Sequence, residues 1–332
     1  DLLQAWDGAD RYLLEALAER GLDGPVLVVD DAFGALGCAL ADRARAWGDS
    51  EIGRLALEAN LARNGLDAVP WTPMTEPAPG AGVVAVVGRI PKSLRRLQHL
   101  LALLAPTLAP GTPVLLGDKS KNVQKSAVAA VEAAIGPASS TRAAHKARLV
   151  VAVRDDRVGP PAGPPGVFGG DRLDRGTALL LEALADVPPG GDVVDLGCGS
   201  GALGLAAARL DSTASVLFCD ESHLAVVAAR DAFVAAELPN PARFTPQDVL
   251  VGEADGSADL ILCNPPFHQG QTVTRRVAAH MFVESARVLR RGGRLLVVGN
   301  RNLGYHARLQ RHFSRVDVVR SNPKFVVLEA GS

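Results

Sequence analysis

Only four cysteines occur in the 332 residues, Cys38, Cys198, Cys219 and Cys263, and no two of them form a C-x-x-C pair. That scarcity argues against a disulfide framework and against a thiolate metal site, and it fits a reducing cytoplasm. No apolar run is long and clean enough to span a bilayer. The nearest candidate, 97–110, is short and contains His99 and two prolines. No secretory leader is visible, and the chain opens at Asp1 rather than at methionine. An excess of either charge is also lacking: 35 Lys and Arg stand against 36 Asp and Glu, a net charge of −1. Nothing therefore draws the whole molecule toward nucleic acid, and any RNA contact must come from local patches. The expectation is a cytoplasmic monomer with no membrane partner and no metal.

What is present suits two domains. The length exceeds one ordinary domain, and 48% hydrophobic residues supply two cores. Strands at 25–29, 83–87, 113–116 and 149–153 alternate with helices at 1–20, 34–45, 93–104 and 123–135. Alternation of this kind implies an α/β, doubly wound, mainly parallel sheet. A proline- and glycine-rich polar segment then interrupts the pattern, which restarts beyond it. The boundaries expected are a first domain at 1–155, a linker at 156–166 and a second domain at 167–332. In the second, a helix at 177–185 precedes strands at 192–196 and 215–219. A helix then runs to Arg290, followed by strands at 294–298 and 324–328.

The halves read as one unit written twice. Gly201-Ala202-Leu203-Gly204 recurs as Gly34-Ala35-Leu36-Gly37, and Asp220-Glu221-Ser222 has a counterpart in Asp49-Ser50-Glu51. Gly197 and Gly199 fall opposite Asp30 and Ala32, and Asn264 falls opposite the region Arg89-Ile90-Pro91-Lys92. Side chains in place of those glycines block a ligand's approach to the backbone, so the first copy reads as degenerate.

Chemistry concentrates in the second copy. Asn264-Pro265-Pro266-Phe267 follows the buried-looking strand Ala258-Asp259-Leu260-Ile261-Leu262-Cys263. The prolines cannot continue a ladder, so the motif lies in a loop at the carboxyl end of its strand, where open α/β sheets bind ligands. The Asn264 oxygen and the Pro265 carbonyl can each accept one N–H of an amino group, and Phe267 can stack on the ring bearing it. Upstream, Asp195-Leu196-Gly197-Cys198-Gly199-Ser200-Gly201 lies between a strand and a helix, and Asp220 ends the next strand. Glycines there admit a ligand to the main chain, and an acid so placed can hold ribose hydroxyls. Gly199-Ser200-Gly201-Ala202-Leu203-Gly204 also satisfies the dinucleotide fingerprint, so the loop alone leaves NAD possible. Asp195, the extra Gly197 and a motif suited to an amine nucleophile favour a different cofactor. Asp248 could accept from an adenine amino group, or could be a surface turn residue.

These motifs resemble the RsmC/RlmG family of S-adenosylmethionine-dependent rRNA guanine-N2 methyltransferases, nearest to its large-subunit (23S rRNA) branch. The likeness covers nearly the whole chain, including Asp31 to Leu36, Phe168 to Gly176, Asn300 to Tyr305 and Asn322 to Leu328. It implies two tandem Rossmann-like methyltransferase domains, the first degenerate and serving RNA binding. It implies S-adenosylmethionine contacts at Asp195, Gly197, Gly199, Gly201, Asp220, Glu221, Asp248 and Asn264, and adds Phe168, Gly176 and Thr177. Asn264, Pro265 and Phe267 would be the catalytic group.

Among scattered basic clusters, Lys119, Lys121 and Lys125 are the most suggestive, because they follow a strand at the edge matching the second copy's motif. With His268 and Lys324 they are the expected RNA contacts. The alternatives are a 16S rRNA guanine-N2 methyltransferase, an adenine-N6 or protein-glutamine methyltransferase, or a non-catalytic RNA-binding assembly factor. The intact glycines and Asn264 argue against the last.

Overall fold

The computed structural model describes residues 4–159, 173–187, 189–266 and 271–331, with backbone alone at 271–275. The chain divides into two compact units, Asp1–Val167 and Phe168–Ser332.

In the first unit, strands β1 (Val26–Val29), β2 (Ala44–Gly48), β3 (Trp71–Pro73), β4 (Ala85–Arg89), β5 (Pro113–Lys119), β6 (Ala138–Ser140) and β7 (Ala147–Val153) form one sheet. Its order is β3-β2-β1-β4-β5-β7-β6. Helices α1 (Gly8–Ala18), α2 (Ala35–Ala39), α3 (Glu51–Arg63), α4 (Leu94–Leu104) and α5 (Lys125–Ala134) join the strands. The second unit carries β8 (Asp192–Leu196), β9 (Ser215–Asp220), β10 (Ala242–Pro246), β11 (Ala258–Cys263), β12 (Leu289–Asn300), β13 (Arg315–Ser321) and β14 (Phe325–Gly331). Its helices are α6 (Arg175–Ala185), α7 (Ala202–Leu210), α8 (His223–Ala235), α9 (Gln271–Val288) and α10 (Tyr305–Leu309). The order β10-β9-β8-β11-β12-β14-β13 repeats that of the first sheet. In each sheet the first five strands are parallel, and β7 and β14 run antiparallel to both neighbours. The expected pair of doubly wound, mainly parallel sheets is what the chain forms.

Strand alternation sends side chains to two cores. Val193, Leu260 and Leu262 face one cluster with Leu180 of α6, Leu203 of α7 and Phe233 of α8. Val194, Ile261 and Cys263 face the other with Phe282 of α9 and Leu309 of α10. Coverage on both faces explains why β11 reads as an unbroken apolar run.

Two sequence readings change. The segment 34–45 is not one helix: α2 ends at Ala39, and Ala44 to Gly48 form β2, paired parallel with β1. Ala and Arg favour a helix locally, but burial of Ala44, Ala46 and Trp47 in the sheet outweighs that weak preference. The counterpart of Asp220 also shifts by one residue. Leu196 pairs with Cys219 and Val29 with Trp47, so Asp220 stands opposite Gly48 in the repeat. Ser222 and Ser50 are then equivalent, each accepting from the amide three residues on as helix N-cap.

The first unit's sheet edge is closed by charge. Arg89 is the last residue of β4, and its Nη1 donates to Asp7 Oδ1 at 2.7 Å and Asp10 Oδ1 at 2.8 Å. Its Nη2 lies 3.4 Å from Asp118 Oδ1. The guanidinium holds the Asp7 carboxyl below the usual carboxylate range. Arg96 of α4 reaches Asp30, in the place of Gly197, at 3.2 Å and Asp49 at 3.4 Å. Asp10 and Asp118 are buried, so losing Arg89 would strand them without a counter-charge. Arg89→Ala is expected to destabilise this unit by about 3 kcal/mol. A urea midpoint equal to that of the wild type would show that solvent, not Arg89, satisfies those acids.

Candidate active site

The loop after β8 turns through three glycines in the left-handed region, Gly197 at φ 72°, Gly199 at 53° and Gly201 at 81°. At Gly201 a side chain would also press on Ala229, 3.0 Å from its Cβ and 3.1 Å from its Cα. At Gly199 the opposite holds, for a Cβ would meet nothing within 4 Å. The glycine there gives the backbone its turn and leaves open space beside it. Gly204, the third glycine of the fingerprint, lies against Phe218, and an added Cβ would come within 2.3 Å of that ring. Close packing of α7 on β9 follows from it. Gly201 has no side chain to cap α7, and Asp195 takes only the Gly204 amide of the first turn, so the turn keeps donors for an anionic group.

Two acids hold this loop. Asp195 is fully buried in β8, and its Oδ2 accepts from the Gly204 amide at 2.8 Å. Its Oδ1 is buried and has no partner among the described residues. Burial pushes the Asp195 carboxyl up to about 8, against the Gly204 hydrogen bond and with help from the nearby Asp220 charge. Asp220 accepts from the Gly199 amide at 3.0 Å and from the Ser222 amide at 3.0 Å. Burial also raises the thiols of Cys198, Cys219 and Cys263, which makes them packing groups rather than nucleophiles.

Asn264 leaves β11 at the same edge, half-buried, and is followed by buried Pro265. Its Nδ2 donates to Thr177 Oγ1 at 2.8 Å and to Asp174 Oδ2 at 3.1 Å. Its Oδ1 is buried and has no partner among the described residues. An unmet buried acceptor costs about 1–3 kcal/mol, a penalty that a donor from a bound molecule would remove. The amide is thus fixed by its nitrogen and offers its oxygen, as a group that receives an amine N–H must.

The other expected residues fall as follows. Gly176 and Thr177 form the first turn of α6, capped by Asp174. Glu221 is half-buried between Asp220 and the cap of α8. Asp248 stands 3.8 Å from His280 Nδ1 rather than alone. Lys324 is exposed, its ammonium 5.1 Å from the centre of the Phe325 ring. Lys119, Lys121 and Lys125, all exposed, belong to the first unit at the end of β5 and the start of α5. Phe168, Phe267 and His268 lie outside the described residues. Asp174 and His280 were not singled out from the sequence. An Asp three residues before Thr177 at a helix start is an N-cap signature, but its bond to a residue ninety positions away has no local signal. Among the described residues no cluster of His, Cys, Asp and Glu could hold a metal, and no helix is long and apolar enough to cross a membrane.

The bare cradle at Gly199 and the start of α7 fit a ligand carrying a carboxylate, and the unmet Asn264 oxygen fits a donor group. Comparison with known proteins agrees. Residues 162–329 match the family model of the methyltransferase small domain, and residues 1–156 match the RLMG N-terminal domain. The ribosomal RNA large subunit methyltransferase G of Pseudomonas paraeruginosa is 43% identical, with 99% of this chain and 94% of that protein aligned. That of Streptomyces coelicolor is 42% identical over the same shares. Among solved structures, the T. thermophilus 16S rRNA N2 methyltransferase RsmC, in complex with AdoMet and guanosine, superposes with a TM-score of 0.79. It covers 98% of this chain and 92% of its own at 23% identity, a likeness of fold.

Asp195 sets a pH dependence. Its carboxyl titrates near 8 when folded and near 3.8 when exposed. The folded chain therefore holds a proton that the unfolded chain has lost across that window. Stability from this group is complete below the lower value and falls as pH rises to the upper, by at most about 1.4 kcal/mol per pH unit. Asp195→Asn should flatten the dependence in urea titrations at several pH values. An unchanged slope would place the titration on another group.

Proposed function

Because the chain belongs to the ribosomal RNA large subunit methyltransferase G family, we propose that it methylates the exocyclic N2 of a guanine in 23S rRNA, with S-adenosylmethionine as methyl donor. The observation that carries this reading is the Asn264 amide, held by its nitrogen with an unmet oxygen. The cofactor supplies an electrophilic methyl on sulfonium sulfur. Gly197, Gly199 and Gly201 would admit it to the backbone, the first turn of α7 would take its carboxylate, and Asp220 would take its ribose. Asp195, Glu221, Asp248 and Gly176 complete the proposed lining; Thr177, which the resemblance adds to it, spends its hydroxyl oxygen on Asn264 instead.

A guanine amino group is a weak nucleophile because its lone pair is delocalised into the ring. Asn264 Oδ1 and the Pro265 carbonyl, accepting one proton each, favour a pyramidal nitrogen whose lone pair points out of the ring plane. Phe267 would stack on the base. Alignment of this kind lowers a barrier by several kcal/mol, of order. No strong base is needed, since the methylated nitrogen becomes very acidic before it loses its proton. A guanine within a duplex cannot enter such a loop, so the target is single-stranded or flipped. Asn264→Ala should lower turnover by about 100-fold or more while leaving S-adenosylmethionine affinity, measured by calorimetry, nearly unchanged. Near-normal turnover would remove Asn264 from the chemistry. Mapping labelled methyl groups on 16S and 23S rRNA decides the substrate.

Most of the proposed phosphate contact falls to the first unit. Lys119, Lys121, Lys125, Arg142, Lys146 and Arg148 are all exposed at one end of its sheet. The acids there are already engaged: Asp7, Asp10 and Asp118 by Arg89, and Glu15 by Arg11 and His145. The Ser120 amide donates to the Lys146 carbonyl at 2.9 Å, which joins the two basic loops. The second unit has the matching bond, from the Arg301 amide to the Lys324 carbonyl at 3.1 Å. Lys146 thus occupies the place of Lys324 in the repeat, and both are assigned to phosphate, with His268 beside the motif. Replacing Lys119, Lys121, Lys125 and Lys146 by Gln should weaken 23S rRNA binding and reduce its salt slope by about 0.7 for each phosphate left without its lysine. Arg63→Gln, elsewhere on the unit, serves as control. An unchanged slope in the quadruple variant would refute this surface.

A further inference from the structure

We propose that Asp174 and Thr177 are positioning residues for methyl transfer, which pin the nitrogen of the Asn264 amide so that only its oxygen can meet the substrate. The proposal rests on the reading of Asn264 as acceptor of the amine. Asp174 is the N-cap of α6 and Thr177 the third residue of the helix, positions whose side chains converge above its first turn. Asp174 Oδ2 accepts from the Gly176 amide at 2.9 Å and the Thr177 amide at 3.2 Å, which anchors the carboxylate. The same oxygen accepts from Asn264 Nδ2, and Thr177 Oγ1 accepts from it as well. An ionised carboxylate only accepts, so the amide atom facing it must be nitrogen. Rotated by half a turn, the amide would set oxygen against carboxylate and offer NH2 to the substrate's NH2, two donors face to face.

The first unit supports a positioning role rather than a cofactor role. Its α1 begins at the corresponding place, with Asp7 as N-cap and Asp10 as third helical residue. Val29 pairs with Gly88 and Leu196 with Cys263, so Arg89 is the counterpart of Asn264. Arg89 Nη1 donates to Asp7 at 2.7 Å and to Asp10 at 2.8 Å. The same two helix positions thus grip the residue leaving the equivalent strand in both units. In the first unit Arg96 bridges Asp30, in the place of Gly197, to Asp49, so the grip there persists beside a blocked glycine turn. A clasp retained without a usable cofactor loop serves the strand end. In the second unit that strand end is the motif.

Asp174→Ser with Thr177→Val tests this on the full chain. Serine still caps α6, and valine keeps the shape of threonine without its acceptor. Turnover at saturating S-adenosylmethionine and rRNA should fall by about 10- to 100-fold, with the cofactor Kd and the KM for rRNA changed less than about twofold. Asp174→Asn and Thr177→Ser, which keep an acceptor, should retain most of the turnover. The Asn264 side-chain NH2 resonance, identified by its loss in Asn264→Ala, should exchange slowly with water in the wild type and fast in the double variant. Unchanged turnover and exchange would overturn the proposal. So would a loss confined to cofactor affinity with turnover intact at saturation, which would make both residues cofactor ligands. If methyl mapping placed the wild-type product on an atom other than guanine N2, the substrate reading would fail, while the exchange measurement would still decide the clasp.

Discussion

A helix start and a strand end meet at one edge of each sheet, and the molecule depends on that meeting. The parallel strands bring their carboxyl ends together. The helix before the first strand of each unit begins at the same edge, and its cap and third residue reach the group leaving the fourth strand. The chemistry of the gripped residue then decides the unit's character. Arg89 satisfies its acids and closes the edge with charge. Asn264 uses its two N–H groups and keeps a lone acceptor. One geometry thus gives a structural lock in the first unit and an unsaturated group in the second.

Unmet buried polar groups cost stability, and among the described residues the second unit carries two at this edge, the Asp195 carboxyl at Oδ1, protonated below about pH 8, and the Asn264 acceptor Oδ1. Each sits in a setting that cannot relax. Asp195 lies in a central strand with its other oxygen on Gly204, and Asn264 is tied by its nitrogen. Three glycines in left-handed conformation complete a loop whose shape is of no service to packing at Gly199, where space is open. Cores on both faces of the sheet supply the stability against which such a costly edge persists.

The first unit shares the fold and differs from the second at the rim by small changes. Asp30 replaces a glycine, Gly48 stands where Asp220 should, and Arg96 bridges Asp30 and Asp49. None of these disturbs strand order, because order is set by the apolar strands and not by the rim. The rim can therefore vary, and in the first unit its acids are engaged by Arg89, Arg11 and His145 while lysines and arginines stand exposed beside them.

Sequence alone determined the two-unit plan, the buried run of β11, the glycine turn and the Asn264 motif, because each is written within a few consecutive residues. Period-two apolar runs, glycines and prolines constrain their own backbone wherever they stand. Tertiary structure decided the rest. Helix propensity pointed the wrong way across 34–45 until the pairing with β1 was formed, and the counterpart of Asp220 moved by one place once strand register replaced letter similarity. Asp174, Arg96 and His280 gained their partners across long stretches of chain. Register and side-chain contact are non-local: they depend on which strands lie side by side, and no short stretch of sequence carries that information.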